Sequence, residues 1–345
     1  MVAVRELDPD ALGERDLAGL HRVWVALAAE DHPGDPGPPT SVMTAALCHR
    51  PPSEPLRLWV AEADARAAGN GRGSEIVGCA WTELPRTGDN EALGTAEARV
   101  LPGSRRRGTG RRLLAEAVAA CREDWRTVID AEVRRGSDGV GFATALGYEE
   151  RLVEVERRLD LGQVDRALVR AWAEGEHPGY SLVSWEDRCP DELLEAFAAV
   201  RLVMNDAPLE DFEMEDESST PALVREQEEA SAAVGRWRRA VCARHDASGE
   251  LVGYTAVAMQ PGEPWLVHQG GTAVERAHRG HGLGRWLKGE MASWLLEHRP
   301  EARVIETGNA GSNAHMVAIN DAMGFRVDSE WGLWQAPLDL VESRL

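Results

Sequence analysis

Apolar positions in this chain fall into two patterns. Short runs rich in Val, Leu and Ala, bounded by glycine or charge, read as strands. Longer stretches with apolar residues three and four apart read as one-faced helices. The pattern predicts strands over 2–7, 56–63, 74–84, 92–101, 127–133 and 153–159, and helices over 17–29, 40–48, 111–124 and 139–146. Leu20, Val23, Trp24 and Leu27 mark the buried face of the first helix. A Pro/Gly loop spans 31–39, and a glycine turn over 69–73 joins the second and third strands. After a linker helix over 163–174 and a break at His177-Pro178-Gly179, the succession begins again. Strands follow over 182–185, 238–244, 251–259, 265–274 and 303–307, helices over 191–204, 224–235, 285–298 and 313–322, and a hairpin from Gly324 onward. Leu283, Trp286, Leu287, Met291, Trp294 and Leu295 give the 285–298 helix its apolar face. This succession predicts an α/β fold, a mixed sheet with helices packed on its faces.

The restart is an internal repeat. Arg105-Arg106-Arg107-Gly108-Thr109-Gly110 matches Arg279-Gly280-His281-Gly282-Leu283-Gly284 at an offset of 174 residues. The segment around Gly78 matches that around Gly253 at 175, and Ala145-Leu146-Gly147-Tyr148 matches Ala322-Met323-Gly324-Phe325 at 177. Three matches in one order at nearly one spacing predict two domains, 1–160 and 180–345, with a linker helix in 161–179.

Composition narrows the partners. The chain has 345 residues, 43% hydrophobic and 28% charged, which suits two globular domains. No apolar run is long enough to span a membrane, and the charged start is unlike a signal peptide. Cys48, Cys79, Cys121, Cys189 and Cys242 lie far apart without a C-x-x-C pair. That argues against structural zinc or a disulfide framework and fits a reducing cytoplasm. A net charge of −20 argues against nucleic acid and favours a cationic small molecule. Lys288 is the only lysine, an imbalance that reads as codon bias in a G+C-rich genome.

Strand, glycine turn and helix together make a phosphate cradle. Glycines let the backbone come close, and the first N–H groups of a helix lack internal partners. Arg279 adds a fixed cation. The segment does not fit a dinucleotide fingerprint, since Arg285 stands where the third glycine belongs. Nor is it a Walker loop, because Lys288-Gly289 is followed by no hydroxyl residue. Arg-x-x-Gly-x-Gly after a strand ending in Val resembles the acetyl-CoA loop of the GNAT acetyltransferase superfamily. The second half carries the resemblance furthest, through Thr272-x-Val274, His278-Arg279-Gly280-x-Gly282-Leu283-Gly284, Asn309 and the run from Asn313 to Phe325. The two-domain arrangement is similar to mycothiol synthase and related tandem acetyltransferases.

The resemblance implies two tandem GNAT-like domains, each a mostly antiparallel mixed sheet flanked by helices, and an N-acetyltransferase working by direct attack of an amine on acetyl-CoA. It implies that Arg279, Gly280, His281, Gly282, Leu283, Gly284 and Arg285 hold the coenzyme diphosphate. Thr272, Ala273, Val274, Asn309 and Asn313 would line the pantetheine arm. Gly270-Gly271 would form a strand bulge, freeing an N–H near Ala273 or Val274 for the thioester oxygen. The base would be His268, with Glu306 next and His315 after it; strand alternation puts His268, Gly270, Thr272 and Val274 on one face. Gly94 would hold the equivalent of His268 in the first half. The family's usual acidic Tyr is replaced by Asn320, and in the first half by Ala143, so Asn320 enters as a catalytic candidate without a proton to give. A thiol of pKa near 8.5 leaves tolerably without an acid.

For the acceptor, residues 205–217 place seven carboxylates (Asp206, Glu210, Asp211, Glu213, Glu215, Asp216, Glu217) with no base among them. The resemblance sets this loop beside the acceptor pocket, which points to a cationic amine such as a polyamine or aminoglycoside-like molecule; a solvated acidic loop is the plainer reading. A cysteinyl conjugate is the alternative acceptor, and a non-catalytic CoA-binding protein the alternative class. In the first half Arg105, Gly108 and Gly110 retain a phosphate grip, but Arg106 replaces the first glycine. That domain reads as degenerate. Neither an oligomeric state nor a metal is implied.

Overall fold

The computed structural model describes residues 2–64 and 74–345; the turn expected over 69–73 lies outside them. The strands are β1 (Ala3–Leu7), β2 (Leu56–Asp64), β3 (Ser74–Glu83), β4 (Leu93–Val100), β5 (Val128–Arg134), β6 (Glu149–Asp160), β7 (Tyr180–Glu186), β8 (Trp237–His245), β9 (Leu251–Met259), β10 (Leu266–Val274), β11 (Val304–Ala310) and β12 (Arg326–Pro337). The helices are α1 (Glu14–Asp31), α2 (Thr40–Cys48), α3 (Thr109–Glu123), α4 (Asp138–Leu146), α5 (Arg166–Ala173), α6 (Leu194–Arg201), α7 (Pro221–Ala233), α8 (Leu283–His298), α9 (Ala314–Met323) and α10 (Leu338–Arg344).

Two compact units result. The first holds Met1–Leu152, Asp211–Glu215 and Trp331–Leu345; the second holds Val153–Glu210 and Asp216–Glu330. In the first, β1, β2, β3 and β4 pair antiparallel in sequence, β4 pairs β5 in parallel, and Trp331 to Pro337 of β12 pair antiparallel with β5. In the second, β7, β8, β9 and β10 pair antiparallel, β10 pairs β11 in parallel, and Glu154 to Asp160 of β6 pair antiparallel with β11. The sixth strand of each unit therefore comes from the other half of the sequence.

Periodicity explains the layers. The α8 face of Leu283, Leu287, Met291, Ala292 and Leu295 packs into a core with Val241, Val257, Val267 and Ile305. Each of the Leu, Met, Val and Ile side chains removed from water contributes about 1.5–3 kcal/mol. A separate core joins Phe197, Ala198 and Val200 of α6 to Ala240, Cys242 and Tyr254. In the first unit α3 buries Leu113, Leu114, Ala117, Val118 and Cys121.

Three expected elements differ. The helix over 191–204 is the eight-residue helix α6 set between 3-10 segments, Asp191–Leu193 and Leu202–Asp206. Pro208 disfavours helical geometry in the residue before it, so the helix does not run on. The linker helix starts only at Arg166, because Asp165 caps it by accepting from the N–H groups of Ala167 and Leu168. The final hairpin is one twelve-residue strand, β12, followed by α10, whose Leu338 and Val341 are fully buried.

Arg126 shows how a charge can organise the fold. It is 2% exposed, and its guanidinium donates to the carbonyls of Pro85, Asn90, Glu91 and Leu93 and to the Asp124 carboxylate. It ties the loop before β4 to the start of β5. Arg126→Met leaves four carbonyls without that donor, and chemical denaturation of the variant should show a loss of about 3–5 kcal/mol. A loss under about 1 kcal/mol would refute this role.

Candidate active site

The second unit assembles the predicted residues around the parting of β10 and β11. Beyond Val274 a 3-10 turn (Arg276–His278) leads to Gly280 and Gly282, both left-handed at φ 84° and 77°. Gly282 is the N-cap of α8 and no side chain caps the helix, so the first N–H groups face the turn. Arg279 donates from Nε to the Val274 carbonyl (2.9 Å), while its other end meets Asp206 (2.8 Å), which Arg276 also holds (3.0 Å). Hydrogen bonding from Arg276, helped by Arg279, keeps the Asp206 carboxyl below its ordinary pKa. Leu283 turns its side chain into the core, Gly284 packs on Ile319, and Arg285 leans over the Trp172 ring. These three can reach a ligand at the turn only through backbone or, for Arg285, a moved side chain.

The sequence reading missed the rim of this turn. His177 lies 3.0 Å by Nδ1 from the His281 carbonyl and stacks on Trp286, with centroids 4.3 Å apart. The Tyr180 hydroxyl lies 3.0 Å from His278 Nδ1. His177 had looked like linker punctuation before Pro178-Gly179, and only the fold brings it to the helix mouth. An uncapped helix N-terminus, two left-handed glycines, Arg279 and imidazoles fit an anionic diphosphate.

The first unit repeats the turn. Gly108 is the uncapped N-cap of α3 at φ 78°, and Arg106 takes the place of Gly280 at φ 62°. A side chain in that conformation costs about 1–2 kcal/mol. Arg105 donates from Nε to the Val100 carbonyl (2.9 Å), as Arg279 does to Val274, and pairs with Glu30. Gly110 opens α3 below Phe142.

A bulge defines the reacting face. The β10–β9 register shifts between Gln269 and Thr272, so Gly270 and Gly271 oppose a single residue of β9. The extra residue overturns the simple alternation expected for this strand. Gln269 Nε2 donates to both Thr255 and Thr272 hydroxyls at 2.9 Å, so Gln269 and Thr272 share one face. His268 lies on the other, with Tyr254 and Ala273. Gly271 has no room for a side chain: a Cβ there would lie 2.4 Å from the Tyr254 hydroxyl and 3.1 Å from Met204 Sδ. Tyr254 thus reaches across β10 at the bulge. It is 5% exposed, and burial raises its phenol to about 12, against the opposing charge of nearby Arg201. Nothing in its sequence neighbourhood marked it.

His268 and Glu306 are directly opposed in the last registered pair between β10 and β11. The His268 side chain is 45% exposed, and its Nδ1 lies 3.4 Å from Glu306 Oε1. Arg158 grips the other carboxylate oxygen at 2.6 Å. Burial alone would raise the Glu306 pKa, but the His268 contact and the Arg158 charge overcome it and hold the carboxyl well below the usual range. A carboxylate held that low is a weak proton acceptor, so Glu306 suits an orienting role and His268 the base. His315 is exposed on α9. The counterpart of His268 is Thr95, not Gly94, because β4 lacks the bulge: Thr95 opposes Asp130 as His268 opposes Glu306. There a cavity of about 390 Å³ is lined by Glu83, Glu97, Asp130 and Glu132 with Arg99 and Trp81. Glu97 accepts from the Glu132 N–H (3.3 Å), so a side chain engages backbone where β4 and β5 part.

Asn320 does not reach the cleft. It is fully buried, its Oδ1 accepts from Lys288 (2.6 Å) and its Nδ2 donates to Asn309 (2.8 Å). That removes it from contact chemistry. Asn313 caps α9, its side chain accepting from the Met316 N–H at 3.2 Å.

The acidic run divides between the units. In the first, Glu215 and Asn90 exchange hydrogen bonds and the Glu213 N–H donates to Gln335. In the second, Asn205, Asp206, Asp216 and Glu217 with Ser218 to Thr220 and Leu202 line a cavity of about 550 Å³.

Comparisons with known proteins agree with this geometry. Residues 201–325 match the model of the Acetyltransferase (GNAT) family. A tandem GNAT protein from the clavulanic acid biosynthesis pathway is 30% identical, with a TM-score of 0.79 over 98% of this chain and 99% of that one. A GCN5-related N-acetyltransferase from Sphaerobacter thermophilus shares the fold at 16% identity, TM-score 0.69, over 98% and 96% of the two chains. So does a glucosamine N-acetyltransferase region of a fungal multidomain GH3 β-N-acetylglucosaminidase, at 16% and TM-score 0.65, over 97% of this chain and 38% of that one. No curated protein matches the chain. No helix among the described residues is long and apolar enough to cross a membrane. The chain, related over nearly its whole length to a tandem GNAT protein, belongs to the GNAT family of acetyltransferases.

Proposed function

We propose that the second unit moves an acetyl group from acetyl-CoA to a primary amine of a small cationic molecule, by direct attack with both reactants bound. The observation that carries this reading is His268, half-exposed beside the β10 bulge with Glu306 held ionised behind it. Acetyl-CoA supplies the activated thioester. The α8 N-terminus, Gly280, Gly282 and Arg279 bind its diphosphate, with the His177 and Tyr180 rim around them. Asn309 and the backbone of Thr272, Ala273 and Val274 line the pantetheine arm. A backbone N–H near Ala273 or Val274 receives the thioester oxygen. His268 takes the amine's proton, and Glu306 orients the ring and stabilises its charged form. Tyr254, kept neutral by burial, donates a hydrogen bond at the bulge, and the thiol leaves without a dedicated acid. Asp216 and Glu217 at the 550 Å³ cavity favour a cation. The first unit, with Thr95 and Asp130 in place of His268 and Glu306, is the repeat that does not transfer.

Acetyl-CoA-dependent thiol release, run against polyamines, aminoglycosides and cysteinyl conjugates, tests the reading. Release should depend on one cationic amine class, and His268→Ala should lower kcat by about 10²–10⁴-fold. Binding of CoA with no release on any amine would defeat it.

Tyr254 gives a separate expectation. Tyr254→Phe removes the donor and keeps the ring, so kcat should fall about 10²–10³-fold. The KM for acetyl-CoA should stay within about twofold of wild type, since the lost bond acts at the reacting centre. An unchanged kcat would assign the hydroxyl to packing alone.

A further inference from the structure

Lys288 is the one lysine in a chain that otherwise draws its strong cations from arginine, and it occupies one of the deepest positions in the fold. It is 2% exposed, on α8 two turns from the glycine cradle, with the Phe325 ring 5.0 Å from Nζ. Burial lowers its pKa from the ordinary lysine value to about 7. A charge held there works against folding, and an apolar side chain of similar size would be easier to bury. Codon bias explains the abundance of arginine but not this single exception.

The hydrogen bonds suggest what the amine does. Lys288 Nζ donates to Asn320 Oδ1, and in its charged form the amine can only donate, which holds Asn320 with its Oδ1 inward. Its Nδ2 then faces Asn309 and donates to Oδ1 at 2.8 Å. That bond fixes the second amide as well, and leaves the Asn309 Nδ2 as the remaining donor of the pair. Without the ammonium, the two amides could turn over together and still bond each other. Asn309 is partly buried and stands on β11 beyond its last registered pair with β10, at Glu306. The pantetheine arm of the proposed ligand offers amide carbonyls, which need donors.

We infer that Lys288 is a positioning residue: its buried ammonium locks Asn320 and Asn309 in the one orientation that presents an N–H donor to the pantetheine arm of coenzyme A. The inference rests on the reading of the second unit as the acetyl-CoA site.

Calorimetric titration of the full chain with CoA, beside thermal melting, tests it. Lys288→Met should weaken one class of CoA site about tenfold while the variant keeps a single cooperative melt. Asn309→Ala should weaken the same site to a similar extent, and the double variant should be little worse than either. In wild type with lysine selectively labelled, the single lysine resonance should shift as CoA saturates. Equal CoA affinity in wild type and Lys288→Met, full additivity in the double variant, or an unmoved resonance would overturn the inference and leave the function standing. Wild-type protein that binds no CoA would sink the function first. If Lys288→Met fails to fold, Asn309→Ala and the labelled wild type still decide.

Discussion

One extra residue in β10 sets the geometry on which the proposed chemistry depends. Two consecutive glycines opposite a single residue of β9 turn the strand by one place. His268 then faces the same side as Tyr254, while Gln269 and Thr272 bond on the other. The missing side chain at Gly271 lets the phenol lie over the strand. The parallel pairing with β11 ends at the His268–Glu306 pair, and the backbone beyond it is released from that partner. Bulge, ion pair and parting strands thus form one constraint with several consequences.

The two repeats share their turn more closely than their chemistry. Gly282 and Gly108 have nearly the same φ, and Arg279 and Arg105 make the same bond to the strand before them. Arg106 accepts a left-handed backbone to keep that shape. What differs is the floor. β4 pairs with β3 without a bulge, and Glu97 and Arg99 occupy the region where β4 and β5 part. The conserved geometry therefore belongs to the helix mouth, and the divergence belongs to the strands that would face an acyl group.

Much of the architecture was legible because it depends on local pattern. The faces of α3 and α8 follow helical periodicity, and the glycine turn announces itself through residues that tolerate positive φ. The family was legible for the same reason, since its loop is a contiguous motif. Misreadings arose where distant residues decide. Strand alternation misplaced the face of Thr272, because a bulge resets parity without any composition signal beyond two glycines. Counting back six residues gave Gly94, where the registered counterpart is Thr95. Asn320 entered because it stands where the family's acidic Tyr would, whereas Lys288 and Asn309, distant in sequence, enclose it. Tyr254 and His177 carried no local signature at all. The acidic run looked uniform in sequence, yet Arg276 and Arg279 neutralise Asp206 and Asn90 engages Glu215.

The exchange of closing strands bears on how the chain comes to be folded. β5 in the first unit is completed by Trp331 to Pro337, which come from the other repeat of the sequence. Until they pair, one edge of that sheet offers unpaired N–H and C=O groups, the kind of edge that recruits foreign strands. Closing that sheet therefore requires pairing between residues more than 190 apart in sequence, the kind of contact that forms slowly. A fragment cut between the repeats would carry the same open edge, because each half of the sequence lacks the strand that completes its own pairing.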